Sequence, residues 1–405
     1  MTSRPVAMIS TLALVTTLLV ALFGLERRPP ANLSNVAGQT ARYAGDKGAA
    51  SESPAPILPG QRASVGLVPV QRLHALMGRK PLLPDHAMSA EEIGPVIVYT
   101  ETSMSGAFGH NFPFFDGMCD WRCGEQIKCV FTGDKTMRHK AHGLLYRDEE
   151  PPDPHVPKAY PEQKKIYMCF ESPANLGLLE NAEFMARFDY EISYRRTAAA
   201  PTFYSEPYMN GMFDTKVRLF DPPVPFDKKV DAVAYMNSNC GTSSGRAEAL
   251  RMLIELNQYP VHSYGDCDRN KYTDEDKVTL FSKYKFCVAM ENSVFEDYIS
   301  EKLFQAMSAG CVPLYVGATN IGWHMPVPVD QMMIHFDPKR DSIADLSRRL
   351  QSLGSNRSEY EKMLAWKAIP RDAMSPGFQA HLFSSESPVQ CKMCQTIALD
   401  IERTI

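Results

Sequence analysis

Short apolar runs of strand length alternate with stretches of helical spacing along the second half of the chain. Residues 230–235 form one such run and end in Asn237-Ser238-Asn239. A Gly/Ser-rich loop, 241–245, leads into a helical pattern that opens near Arg246. Its Ala247, Leu250, Leu253, Ile254 and Leu256 share one face. Residues 261–264 read as a strand closed by Gly265-Asp266, and 277–283 as a helix. The most ordered stretch is 284–317. Within it an apolar strand, 286–290, stops at Glu291-Asn292-Ser293. A loop with Asp297 and Tyr298 follows. Then comes a helix over 300–309, with Ile299, Leu303 and Met307 at near-helical spacing and Gly310 as its C′ glycine. Residues 311–316 return as a strand ending at Gly317. Strand, loop, helix, strand is one right-handed parallel unit. In open parallel sheets the ligand lies beyond the carboxyl ends of the strands, where Glu291, Asn292, Tyr298, Glu301 and Lys302 would stand. A further strand, 332–336, and a helix, 343–353, follow.

The first half carries weaker periodicity. Residues 96–99 are a candidate strand. The segment up to Pro161 reads as irregular, with scattered histidines (His110, His139, His142, His155) whose bland reading as solvated or core side chains outweighs a metal site. Residues 166–170 are a strand that runs directly into Glu171-Ser172-Pro173. Residues 176–185 can be helical, and 189–194 alternate as a strand into Arg195-Arg196. Asp221-Pro-Pro-Val-Pro225 is a stiff connector. The pattern predicts two α/β domains, 95–225 and 226–370, and a tail, 371–405, of mixed coil. Upstream, residues 6–25 contain no charge and suffice to span a bilayer. A cleaved signal peptide is the alternative, but no clear A-x-A site follows. The expectation is a cytosolic tail (1–5), a transmembrane anchor (6–25) and a Pro/Ala/Ser/Gly-rich stem (26–94).

Composition narrows the function. With 44% hydrophobic and 22% charged residues the chain can bury a core, and its net charge of −4 argues against a nucleic-acid binder. Ten cysteines and two sequons, at Asn32 and Asn356, fit an oxidising lumen. Cys169, Cys287 and Cys311 lie in apolar strand runs and read as buried thiols. Cys119, Cys123 and Cys129 lie in a polar, Gly-containing loop, free to pair with each other or elsewhere. Cys391-Lys-Met-Cys394 reads as a terminal disulfide staple.

Charged groups at strand ends suggest the chemistry. There is no phosphate-binding Gly-rich motif and no serine nucleophile elbow. Glu171 on one side of a cleft, with Arg246 and Lys302 at helix starts on the other, suits attack on a phosphate-activated substrate. The carboxylate takes the proton of an incoming hydroxyl. The cations and helix amino termini hold the departing diphosphate. Each residue also has a structural reading. Glu171 and Arg246 can be ordinary helix-terminal or surface charges, and Asn292 a turn cap. Asp266-Cys267-Asp268 keeps a metal-dependent variant open.

The stretch FCVAMENSVFEDYISEKLFQAMSAGCVPLYVG resembles the signature of the α1,3-fucosyltransferases, carried by Met290-Glu291-Asn292, Tyr298, Ser300, Glu301 and Lys302. The likeness runs from about Pro95 to Cys394. It takes in Glu171-Ser172-Pro173, Ser193-Tyr194-Arg195-Arg196, Ser238-Asn239 with Arg246, Tyr264-Gly265 and the terminal CxxC. It implies a GT-B fold, two Rossmann-like domains facing across a cleft, with 95–225 on the acceptor side and 226–370 binding the donor. It implies inverting transfer of L-fucose from GDP-β-L-fucose, the expected acceptor being the 3-hydroxyl of N-acetylglucosamine in an N-glycan core or antenna. Glu171 would be the general base. Arg246 and Lys302 would bind the diphosphate. Tyr194, Ser238, Asn239, Glu291, Asn292, Tyr298 and Glu301 would line the donor site. No cofactor or metal would be required. The family layout also implies a single-pass type II Golgi membrane protein with a luminal catalytic part, acting on glycoprotein or glycolipid glycans. The chain departs from the family at Thr197-Ala-Ala-Ala200, where an acidic residue is common. The alternatives are a GT-B enzyme using another nucleotide sugar and a non-catalytic, lectin-like luminal protein.

Overall fold

A computed structural model of the chain describes residues 69–79, 88–100, 104–105, 111–112, 115–122, 124–147, 157–209 and 218–404. The expected anchor, 6–25, lies outside them, as does Cys123. Among the described residues no helix is long and apolar enough to cross a membrane.

The described residues form thirteen strands: β1 (Val96–Tyr99), β2 (Met104–Ser105), β3 (Asn111–Phe112), β4 (Asp116–Arg122), β5 (Glu125–Thr132), β6 (Gly143–Arg147), β7 (Lys164–Cys169), β8 (Tyr190–Ser193), β9 (Val230–Tyr235), β10 (Val261–Ser263), β11 (Tyr284–Met290), β12 (Val312–Val316) and β13 (Ile334–His335). Two sheets dominate, both within the compact unit Ser64–Ile405. The first has the order β4-β5-β1-β6-β7-β8. It is parallel except for the edge hairpin β4–β5. The second, β10-β9-β11-β12-β13, is parallel throughout. An α/β architecture with parallel sheets is therefore present, as the alternating pattern predicts.

The second sheet follows the sequence reading closely. Every residue of β11 is buried, the signature of a central strand covered on both faces. The Glu301–Ala309 helix begins after Ser300, whose side chain caps it, and ends at Gly310. Gly310 has φ 68° and returns its amide to Ala306 and Met307. A Cβ at Gly310 would also press on Pro223 of the connector at 2.8 Å.

The first sheet and the tail correct the reading. The segment taken as irregular contains β4, β5 and β6. In β4 and β5 burial alternates: Cys119, Trp121, Ile127, Cys129 and Phe131 point inward between polar neighbours. The inward set is cysteine- and tryptophan-rich and interrupted by glycine, so its period of two is faint in the sequence. The 176–185 helix is broken by Asn181, which caps a separate turn, Ala182–Met185, after the 3₁₀ turn Gly177–Glu180. The stretch read as stem includes two short helices, Pro69–Leu76 and Ala90–Ile93, whose Val70, Leu73 and Ile93 are buried.

The tail is not a coil. It forms two helices, Pro376–Ser384 and Val389–Thr404. The second returns to the first sheet and buries Met393, Ile397 and Ala398 with β1, β4 and β5. The CxxC is a terminal disulfide staple, as expected, and it fastens this helix to the first sheet. Cys391 bonds Cys119 on β4, and Cys394 bonds Cys129 on β5. Cys287 and Cys311 are not thiols. They bond each other beside the β11–β12 pairing. Cys240 bonds Cys267, and Cys169 is buried, as its apolar strand run implies. Pairing requires Cα atoms about 5–6 Å apart, a distance set by strand register and helix return rather than by sequence spacing.

Candidate active site

The carboxyl ends of β9 and β11 carry the first group of site residues. Arg246 opens the Arg246–Leu256 helix behind Gly245, which takes the left-handed conformation at φ 80°. Its guanidinium is 1% exposed. Nη1 donates to the Met290 carbonyl at 2.9 Å and Nη2 to the Asn239 carbonyl at 2.7 Å. Burial lowers its pKa from the ordinary arginine value. A cation held by two carbonyls and by no carboxylate keeps its charge uncompensated at close range, which favours an incoming anion.

The loop that delivers Asn239 is fixed from two directions. The Cys240–Cys267 bond ties it to the turn after β10. At Gly265 a Cβ would fall 2.1 Å from the Asn237 carbonyl oxygen, so the two backbones touch and only glycine fits. Ser238 and Asn239 are themselves exposed. The Gly/Ser loop is stitched to the end of β11: the Ser243 and Ser244 amides donate to the Asn292 carbonyl at 3.0 and 3.1 Å, and Ser244 Oγ donates to the Glu291 carbonyl at 2.7 Å.

Glu291 is fully buried. Its carboxylate accepts the Ser300 amide at 2.8 Å and Ser300 Oγ at 2.6 Å, and Lys302 Nζ lies 3.4 Å away. Glu291 therefore sets the start of the Glu301–Ala309 helix and the position of Lys302. Lys302 Nζ also donates to Ser300 Oγ at 2.8 Å and to Glu301 Oε1 at 3.2 Å. Burial pulls the Lys302 pKa down, but Glu301 and Glu291 outweigh it and the ammonium is held above its ordinary range. Burial pushes Glu301 up, and Lys302 with Lys277 outweigh it, so this carboxyl lies below its ordinary value.

The first sheet contributes Tyr194 and Glu171. Tyr194, 1% exposed and just beyond β8, meets Tyr298 edge-on with ring centroids 5.2 Å apart. Glu171 is exposed, two residues beyond β7, and accepts a hydrogen bond from Asn175 Nδ2 at 3.0 Å. Burial raises the Tyr298 phenol, and the nearby carboxylates of Glu291, Glu171 and Glu301 raise it further. Glu171 from the first sheet and Glu291 and Glu301 from the second thus all act on the Tyr298 phenol.

Lys277 was missed. It is the first residue of the Lys277–Ser282 helix, half-buried, and it senses Glu301, Lys302 and Arg246. Burial lowers its pKa to about 8. The one signal was a cation at a helix amino terminus, where the dipole disfavours it. The acidic pair flanking Cys267 is engaged otherwise: Asp266 pairs with Arg269, and Asp268 lies 3.5 Å from Arg251. Among the described residues no three His, Cys, Asp or Glu are grouped to hold a metal ion.

Residues 226–404 match the family described as glycosyltransferase family 10 (fucosyltransferase) C-term. The chain is 30% identical over 234 residues to a putative fucosyltransferase-like protein of Arabidopsis thaliana, covering 56% of this chain and 44% of that one. It is 29% identical over 299 residues to GDP-fucose protein O-fucosyltransferase 3 of Danio rerio, covering 67% and 60%. It is 28% identical over 243 residues to 4-galactosyl-N-acetylglucosaminide 3-alpha-L-fucosyltransferase 9 of Bos taurus, covering 59% and 64%. The chain thus spans 44% to 64% of the length of these curated relatives. A solved structure titled "Crystal Structure of alpha1,3-Fucosyltransferase" aligns at 13% identity over 78% of this chain and 93% of that one, with a TM-score of 0.49, below the level at which a fold likeness carries weight. The strand-end site from Asn239 to Lys302 therefore lies within the residues, 226–404, that match the glycosyltransferase family 10 (fucosyltransferase) C-terminal model.

Proposed function

We propose that the protein transfers L-fucose from GDP-β-L-fucose to an acceptor hydroxyl by a single inverting displacement. The observation that carries this reading is that a buried Arg246, hydrogen-bonded to two carbonyls, and Lys302 at the start of its helix share the site of Tyr298, whose phenol also feels Glu171 from the other sheet. In the GT-B arrangement the two sheets form the two walls of the cleft. Glu171 accepts the acceptor hydroxyl's proton as the new bond forms at the sugar carbon. Arg246, Lys302 and Lys277 stabilise the diphosphate as its bond to that carbon breaks. Glu291 and Asn292 hold the donor loop and helix in register, while Ser238, Asn239, Tyr194, Tyr298 and Glu301 line the donor. Cations from the chain supply the charge that a divalent ion supplies elsewhere, so turnover proceeds without one.

For the acceptor, the 3-hydroxyl of N-acetylglucosamine in a glycan is the leading reading, in line with the name of the Bos taurus relative. A protein hydroxyl is the second, favoured by the Danio rerio relative, which matches a larger share of this chain. The four disulfides among the described residues fit an oxidising lumen, consistent with anchoring through 6–25 in the Golgi membrane.

The test is incubation of the protein with GDP-fucose, a panel of N-glycan, lactosamine and folded-domain acceptors, and a chelator in parallel. Turnover on one acceptor class, kept in chelator and reduced about 10²- to 10⁴-fold by Glu171→Gln, is expected. No turnover across the panel, or full activity of Glu171→Gln, refutes the mechanism. Loss in chelator refutes its metal-free form.

A further inference from the structure

We propose that Asp297 is a positioning residue for this transfer: it pins the sheet that carries Glu171 to the sheet that carries Lys302, and the buried chain Ser205–His381–His324 holds it in place. The inference rests on the fucosyl-transfer reading above.

Asp297 lies between β11 and the Glu301–Ala309 helix, directly before Tyr298. It is 7% exposed and takes the left-handed conformation at φ 60°, uncommon for a residue with a side chain. From the first sheet, Arg196 donates its amide at 3.0 Å and Nε at 2.8 Å to the carboxylate. Arg196 stands two residues beyond Tyr194, and its guanidinium lies over the Trp323 ring at 4.8 Å. From the second sheet, Asn320 Nδ2 donates at 2.7 Å and His324 Nε2 meets the carboxylate at 2.9 Å. Asn320 Oδ1 accepts the Asp297 amide at 2.9 Å. The carboxylate is thus shared between the two sides, with Oδ1 meeting Arg196 Nε, Asn320 and His324 and Oδ2 meeting the Arg196 amide.

The chain behind His324 has a direction. His324 Nδ1 meets His381 Nε2 at 2.9 Å, and His381 Nδ1 meets Ser205 Oγ at 2.7 Å. All three residues are at most 1% exposed. Burial lowers both imidazoles below the ordinary histidine value, against the opposing pull of Asp297; with both rings neutral, their partners set the tautomers. The Asp297 carboxylate can only accept, so His324 carries its hydrogen on Nε2. Its bare Nδ1 then accepts from His381 Nε2, and the bare His381 Nδ1 accepts from Ser205. Every link donates toward Asp297. Phe203 stacks on His381 at 3.9 Å and closes the far end.

The consequence is a division of labour. Arg246, Lys302 and Lys277 all belong to the second sheet and its helices, so the diphosphate contacts, which dominate affinity for GDP, need no pin. The placement of Glu171 against the donor carbon does, because it crosses from one sheet to the other. A misplacement of about 1 Å can cost about 10²-fold in rate.

The experiment compares wild type, Asp297→Asn, Arg196→Gln and the double variant. Arg196 keeps 32% of its side chain exposed, so its replacement is the safer one for folding. Near-ultraviolet circular dichroism checks the fold. Measured are kcat, KM for GDP-fucose, and Kd for GDP by calorimetry. Expected is a fall in kcat of about 10²-fold in either single variant. KM and Kd should stay within about twofold, and the double variant should be no worse than Asp297→Asn, since both act through one contact. Folded variants with wild-type kcat overturn the inference, as does a KM or Kd that rises in step with the loss of kcat. Wild type without turnover on any acceptor overturns the fucosyl-transfer reading and the inference together.

Discussion

The two bridges that fasten the Val389–Thr404 helix to the first sheet make a quantitative test of what that helix does. Cys119–Cys391 closes 272 residues and Cys129–Cys394 closes 265. Either bridge alone removes about 5.5 kcal/mol of conformational entropy from the unfolded chain at 25 °C on the loop-length relation. They are not independent. Once one is formed, the other closes only the small ring bounded by 119–129 and 391–394, of roughly 15 residues, and adds about 3 kcal/mol. Replacing one pair with alanines should therefore cost about 3 kcal/mol, whichever pair is chosen, and replacing both about 8.5 kcal/mol. The excess over additivity, about 2.5 kcal/mol, is the signature of two bridges restraining one segment. With typical stabilities of about 5–15 kcal/mol, the double replacement brings the fold close to its limit. Urea unfolding of the non-reduced protein measures each value through the midpoint and slope. Single replacements near 5.5 kcal/mol, or a double equal to the sum of the singles, would refute the shared-restraint argument.

Other outcomes follow from particular groups. Because the Lys277 ammonium titrates at about 8 beside the cation cluster, GDP binding should weaken as pH rises through 8, and Lys277→Met should abolish that dependence while lowering affinity about tenfold; calorimetry from pH 6.5 to 9.5 reads both. Lys392 and Glu206 form a buried pair, Nζ to Oε1 2.7 Å, so Lys392→Met should cost about 3–5 kcal/mol by stranding a carboxylate, and adding Glu206→Gln should recover much of it, measured by the same urea titration. His74 is held at about 4 by burial and the neighbouring Arg79, and His324 and His381 are lowered too. The unfolded chain then binds more protons below about 6.5, so stability should be level above that pH and fall below it, by up to about 1.4 kcal/mol per pH unit per group; unchanged urea midpoints between pH 7 and 5 would contradict this.

The second sheet was legible because each of its βα units repeats the same signals. A strand buried on both faces reads as a continuous apolar run, and Ser300 and Gly310 mark the ends of one helix. The run 230–235 coincides with β9, and Arg246 opens its helix. The first sheet was not legible where its inward set on β4 and β5 mixes cysteine and tryptophan with charged neighbours. The tail escaped for a related reason. The Pro376–Ser384 helix is buried on several sides and shows no stripe, and the Val389–Thr404 helix buries Lys392, Gln395 and Thr396. Those polar residues tolerate burial only because Glu206, Ser384 and the backbone carbonyls of Asp120 and Lys392 meet them. At the candidate site, strand-end reasoning singled out Glu291, Asn292, Glu301, Lys302 and Arg246, which stand at a strand end or a helix start in the structure. It could not reveal that Glu291 positions Lys302, or that Asp297 gathers Arg196, Asn320 and His324, since these contacts link residues from 9 to 101 positions apart.

The return of the last helix to the first sheet also imposes an order in time. Cys119 and Cys129 leave the ribosome long before their partners. At about 5–20 residues per second, 272 residues correspond to roughly 15–50 s. Throughout that interval the inner faces of β1, β4 and β5 lack the Met393, Ile397 and Ala398 side chains that cover them. The part of the chain made first is thus completed last, and the nascent protein has to be shielded from premature oxidation until its final turns emerge.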